Sequence, residues 1–343
     1  MKLLQIKSIS LLLIVFVTLS QTACVDLAGL RKFTDSSVEA GSKFKGIMSD
    51  SYRSCAMELY YIKAETDNFN NLTPFVSAKE FLDANPSEGG QLCETSKQNA
   101  KNFIFANKVL MTYLYVMGQL AGDGLTNTDD EFDKLKTAFG QIPGGGDPLV
   151  ATSFNLANTI TNIIVQSKQQ KALKETISQN NGNITSLTNG LSTLLDTYLT
   201  RLAAEKNRLK QMYGQANQLH ITFNRRNRQS ENSLNRIEDL IKTIPGVRPQ
   251  AQPIQNNAEM LNPDYDALQV LNSNAALETE IKNIDAKIGA AEAYKEVLSS
   301  IQQGHQDLYV EANKGFKKKE AIRIALKYAP SIQKNYDEII KVF

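Results

Sequence analysis

Two rows of side chains with seven-residue spacing constrain this chain more than any other feature. Leu195, Leu202, Leu209, Ala216 and Phe223 form one row; Leu191, Tyr198, Glu205, Met212 and Leu219 form the other. Their offsets alternate between three and four residues. That period cannot line one face of a strand, where side chains alternate every two residues, but it does line one stripe of a helix against a partner helix. A helix over 184–223 would be about 60 Å long at ~1.5 Å per residue. The rows lapse over 224–233, and apolar spacing resumes at Leu234, Ile237, Ile241 and Ile244. Pro245, Pro249, Pro253 and Pro263 then mark a connector. A second long helix is expected over about 264–312, with Ile281, Ile284, Ile288, Ala291, Leu298, Ile301 and Leu308 facing inward. Two long helices around one connector predict an antiparallel coiled-coil-like hairpin.

Helical signals fill the rest of the chain. Ser36-Ser-Val-Glu39 has capping-box spacing and is expected to open a helix through Phe44, Met48, Cys55, Leu59 and Ile62. Ser77-Ala-Lys-Glu80 starts a short helix that ends at Asn85-Pro86, and a longer one is expected over about 94–120. The latter carries the stripe Phe103, Ala106, Leu110, Tyr113, Met117 and Leu120. Thr128-Asp-Asp-Glu131 is a third capping box, and Gly144, Gly145 and Gly146 form the clearest internal boundary. Asp147-Pro148 reads as an N-cap with proline at the first helical position, opening a helix to about Ser178 that Asn180-Asn-Gly-Asn183 breaks. Gly315 is expected to end the second long helix, with two short helices split at Pro330 after it. The expected fold class is all-α: an elongated multi-helix bundle, with 35–143 and 147–343 as two parts or one continuous bundle.

Residues 1–23 are a different kind of segment. Lys2 and Lys7 precede an apolar run over 9–19, too short to span a bilayer comfortably, and Ser20-Gln-Thr-Ala23 leads to Cys24. This resembles the signal of a bacterial lipoprotein precursor, although Gln21 stands where a leucine is usual. The resemblance covers only residues 1–24. It implies cleavage before Cys24, a diacylated or triacylated (palmitate-bearing) cysteine as membrane anchor, and 24–34 as a tether. Because Val25 rather than aspartate follows, it further implies an outer-membrane lipoprotein facing the periplasm or the surface. The alternative is ordinary secretory cleavage after Ser20, with Thr18 at the small-residue position. A lipid on Cys24 would leave Cys55 and Cys93 as a pair, and export favours a disulfide between them over two buried free thiols.

Removing Lys2 and Lys7 with the signal leaves 36 basic residues against 36 acidic ones, so global charge gives no support for nucleic-acid binding. His220 and His305 are the only histidines. In a hairpin folded about residue 253 or 254, position 220 lies opposite roughly 287, about 27 Å from 305, so the two could not share a metal. Asp129, Asp130, Glu131 and Asp133 lack the loop glycine and closing glutamate of an EF-hand and suit a first helical turn. The glycine run lacks the lysine-serine or lysine-threonine pair of a phosphate loop. Arg225, Arg226 and Arg228, and separately Lys314, Lys317, Lys318 and Lys319, could meet phosphate headgroups or an acidic partner, or simply be solvated.

Residues 148–167 carry no charge, which suits a central helix enclosed by others, or a helix that inserts into membranes after rearrangement. These readings converge on a non-enzymatic, lipid-anchored scaffold or adaptor of the cell envelope with a protein partner. No catalytic residue, metal, cofactor, nucleic acid or small-molecule substrate is inferred. A membrane-active helical protein using 148–167 and a hydrolase with dispersed acidic residues are the alternatives.

Overall fold

The computed structural model describes residues 27–66, 89–122, 148–166, 170–242 and 263–343. Among these residues the chain is helical and no strand occurs: α1 (Ala28–Ser42), α2 (Phe44–Thr66), α3 (Gly89–Ala121), α4 (Pro148–Gln166), α5 (Gln170–Lys242), α6 (Pro263–Asn313) and α7 (Lys318–Ile339). The chain is an all-α multi-helix bundle, as its periodicity predicts. Two compact units divide it, one being Met1–Met48, Gln98–Asp196 and Gly289–Phe343, the other Ser49–Lys97 and Thr197–Ile288. The expected parts 35–143 and 147–343 therefore do not match the units. Helices α2, α3, α5 and α6 each contribute to both, because a long helix can serve a different core at each end.

In the first unit, Phe33, Leu110, Tyr113, Leu114, Leu187, Leu191, Tyr294, Leu298, Ile301 and Ile332 are buried. The Phe44 and Tyr294 rings lie 5.1 Å apart. Gly304 lets α1 approach α6, since a Cβ there would come within 2.8 Å of the Phe33 ring. Asn181 bonds Gln306, Asn189 bonds Gln302, and Asp196 pairs with Lys295, so α5 and α6 run antiparallel here. In the second unit Lys206 meets Asp285 on the same two helices. A hairpin folded about 253 or 254 would instead bring 196 opposite roughly 311. The buried layers set the register, and the midpoint of the proline-rich connector does not. Pro245, Pro249 and Pro253 lie outside the described residues.

Several expected boundaries are corrected. Helix α1 begins at Ala28, eight residues before Ser36, so 28–34 are not a tether. Leu27, Leu30 and Phe33 are fully buried, a stripe at helical spacing that drives the helix. Ser36, the expected cap, is buried inside α1, and its neighbour Ser37 donates to the Phe33 carbonyl. Helix α5 runs through Asn180-Asn-Gly-Asn183 without a break, since Asn180 is buried and donates to the Thr176 carbonyl. It also continues through 224–233. One helix, α7, spans Pro330. Leu326, whose carbonyl loses its partner, and Pro330 itself both face solvent, which keeps the lost bond from becoming a buried unsatisfied group.

Helices α1 and α7 run parallel. Gly29 sits against Ile322 and Leu326, Tyr336 is hydrogen-bonded to Glu39, and Gly46 lies beside Phe343. The N-termini of both helices therefore share one end of the first unit.

Candidate functional site

The densest polar arrangement is in the second unit and grows from one residue of the seven-residue rows. Glu205 occupies a seam position of α5 and is 1% exposed, flanked by the buried Leu202 and Leu209. A carboxylate there needs partners, because desolvating an unpaired charge is costly. Helix α2 supplies them. Arg53 donates to both carboxylate oxygens of Glu205, at 2.8 and 3.0 Å, and the Ser54 hydroxyl adds a third bond at 2.6 Å. The other edge of the Arg53 guanidinium binds Asp50, with Nε at 2.6 Å. Asp50 also accepts from the Tyr198 hydroxyl at 2.6 Å and pairs with Lys287 of α6 at 2.8 Å.

Two carboxylates and two cations thus balance one another on three helices. Burial pushes the Asp50 carboxyl up, but hydrogen bonds and charges from Arg53 and Lys287 outweigh it and hold the group below the ordinary carboxylate range. Burial disfavours the Arg53 cation, yet Asp50 and Glu205 more than offset this and raise it above its usual value. Burial, with Asp50 beside it, raises the Tyr198 phenol. Each shift deepens the charge state the group already has near neutrality. Such an arrangement ties α2, α5 and α6 together through buried charges that neutralise one another.

Cys55 lies one residue beyond Ser54 and is joined to Cys93 of α3, with 2.09 Å between sulfurs and 5.9 Å between Cα atoms. The expected pairing is present, and it clips α2 to α3 beside the charge cluster. Lys97, one turn after Cys93, lies over the Tyr52 ring, and Arg201 of α5 donates to Ser96.

A second buried network occupies the first unit. His305 is fully buried on α6, with Nε2 2.7 Å from the Tyr113 hydroxyl and Nδ1 3.2 Å from Asn181 Oδ1. The Asn181 oxygen can only accept, so Nδ1 carries the proton and Nε2 accepts from Tyr113. Asn107 likewise accepts from the Tyr294 hydroxyl at 2.5 Å and donates to the Gly41 carbonyl. Among the described residues no buried side-chain nitrogen or oxygen lacks a partner.

Burial lowers the His305 pKa to about 3, from an ordinary 6.5. Between those values the unfolded chain binds a proton that the folded chain excludes, so stability falls as pH drops below 6.5. The native chain should lose about 1–2 kcal/mol more than His305→Gln between pH 6.5 and pH 5. Urea unfolding at the two pH values measures this, and equal losses in both proteins would show that His305 is charged in the fold.

The remaining sequence candidates fall as follows. Cys24, the acidic residues Asp129, Asp130, Glu131 and Asp133, the three glycines 144–146 and the helix expected at 77–85 lie outside the described residues. His220, Arg225, Arg226 and Arg228 belong to α5, but their side chains are not among those described. Among the described residues no three His, Cys, Asp or Glu side chains converge as a metal site. Helix α4 is not enclosed on all sides. Leu149, Val150, Leu156, Ala157 and Ile160 are buried while Ala151, Asn155, Asn158 and Asn162 face solvent, so neutral asparagines do the work expected of charges. No helix among the described residues is long and apolar enough to cross a membrane.

Asp50, Arg53, Ser54 and Lys287 escaped the sequence analysis. The available signal was Glu205 itself, a carboxylate in an otherwise apolar row. The chain matches no protein-family model, no curated protein and no solved structure.

Proposed function

We propose that this protein is a lipid-anchored, non-enzymatic helical scaffold of the bacterial cell envelope, with Cys24 as the acylated residue and the helical body as the surface that holds a protein partner. One observation carries the reading: Cys55 and Cys93 are joined, which leaves Cys24 as the odd member of three cysteines. An unpaired cysteine directly after a basic and apolar leader is the position that the lipoprotein resemblance assigns to lipid modification. The disulfide also suits an exported chain. Two or more acyl chains give stable attachment, where one would not. The disulfide between α2 and α3 and the buried charge cluster hold the helices of the second unit in one arrangement, which a scaffold needs. The residue after the cysteine, Val25, favours the outer membrane.

Metabolic labelling with palmitate and crosslinking from intact envelopes test this together. The native chain should carry label, fractionate with membranes and crosslink to a discrete partner, whereas Cys24→Ser should lose the label and the membrane fraction. An unlabelled native chain would remove the anchor. Turnover of a small molecule by the purified body, abolished by a single substitution, would remove the scaffold.

A further inference from the structure

The turn between α6 and α7 is a built basic surface at the end of the first unit where the chain enters it. Residues 314–323 hold five basic side chains, Lys314, Lys317, Lys318, Lys319 and Arg323, against one acidic side chain, Glu320. Lys314, Lys317, Lys319 and Arg323 are exposed and Lys318 is half-exposed. Nearby carboxylates are engaged. Glu320 pairs with Arg323, the Glu311 carboxylate accepts the Lys317 backbone N–H at 2.8 Å, and Asp307 takes Lys327 and the Tyr328 hydroxyl.

The turn has a fixed form. Gly315 and Phe316 both have positive φ, 118° and 54°, and the Phe316 N–H donates to the Glu311 carbonyl at 3.0 Å. Positive φ in a non-glycine aromatic is uncommon and needs surroundings that hold it. Here they hold a half-exposed phenyl ring among four lysines, with Leu326 exposed two turns along α7. Aromatic and apolar side chains set among cations suit the interfacial zone of an anionic bilayer, where rings sit at headgroup level.

The placement of α1 selects that occupant. Because α1 and α7 run parallel, Gly29 lies against Ile322 and Leu326, one to two turns from the lysines. Cys24 precedes Leu27 by three residues, a covalent reach of at most about 11 Å.

We infer that the 314–323 surface docks on anionic phospholipid headgroups, so that the end of the first unit bearing Lys314, Phe316, Lys317, Lys318 and Lys319 faces the membrane. The choice of a bilayer over another polyanion rests on the Cys24 reading above. Each lysine near such a surface strengthens partitioning about fivefold at moderate ionic strength. The consequence is an oriented body, with the far ends of α1 and α7, around Ser42 and Ile339, directed away from the bilayer.

Vesicle co-sedimentation of the full mature chain carrying Cys24→Ser isolates this surface from the anchor. Binding is expected to phosphatidylcholine vesicles containing phosphatidylglycerol, not to phosphatidylcholine alone, and to vanish near 1 M salt, where screening acts over ~3 Å. Lys317→Gln, Lys318→Gln and Lys319→Gln together should weaken binding about a hundredfold. The same change at the exposed Lys101, Lys210 and Lys282 should leave it intact, with both triple variants matching the parent in circular dichroism. Equal binding to neutral vesicles, no binding to either vesicle, or equal loss in the two triple variants would overturn the proposal. Capture by soluble polyglutamate without vesicle binding would overturn it too, in favour of an acidic protein partner. Palmitate label on the native chain without vesicle binding would strike this surface alone. Vesicle binding without label would strike only the anchor.

Discussion

Arg53→Met should destabilise the protein by about 3–5 kcal/mol, the usual consequence of removing one partner from a buried ion pair. Glu205 is 1% exposed and would keep only the Ser54 hydroxyl as a donor from α2. Asp50 would lose two bonds but retain Tyr198 and Lys287, so the larger share of the loss falls on Glu205. Adding Glu205→Leu should recover most of the stability, because leucine continues the row through Leu202 and Leu209 and no carboxylate is then stranded. Urea unfolding followed by circular dichroism gives both values. A loss below about 1 kcal/mol for Arg53→Met would mean that the cluster is solvated in solution.

The second large effect belongs to the disulfide. Cys55 and Cys93 close a segment of 38 residues, which in the chain-entropy model contributes about 4 kcal/mol by restricting the unfolded chain. Cys55→Ala with Cys93→Ala should therefore lower stability by that amount. Both sulfurs are buried, so alanine would also remove packing, and the measured loss should not be smaller. Comparison of the oxidised native chain with the double variant, using probes in each unit, checks the value and its location. A matching loss on reduction of the native chain would assign it to the bond, and an unchanged midpoint would show that the pair is not oxidised. Arg53 and Cys55 are two residues apart on α2, so their effects should not add simply.

Much of the fold was legible because helical periodicity is a local property. The seam rows predicted the burial of Leu191, Leu195, Tyr198, Leu202 and Leu209, and α6 follows the expected inward face at Ile284, Ala291, Leu298, Ile301 and Leu308. Errors arose where a residue's local preference was overruled by a distant partner. Asn180 and Asn181 favour helix ends in isolation, but one bonds back to Thr176 and the other holds His305, 124 residues away. Ser36 and Glu39 have the spacing of a cap, yet Leu27, Leu30 and Phe33 had already committed the chain to a helix. Glu205 was visible as an oddity, and its meaning lay 152 residues earlier in Arg53. Nothing in the sequence pattern fixed the register between α5 and α6, because heptads repeat and one layer resembles the next.

The parallel pairing of α1 and α7 bears on how the chain comes to be folded at all. The face around Gly29 closes on Ile322 and Leu326, nearly three hundred positions later, whereas Thr34 and Arg31 of the same helix meet Gly118 of α3 and Gly122 just after it. A chain made from its N-terminus must therefore keep the Gly29 face of α1 uncovered until α7 has emerged. Pairing of such distant segments carries a large loop-closure penalty and comes late in folding. The first of the described helices is thus the last to be fully sealed.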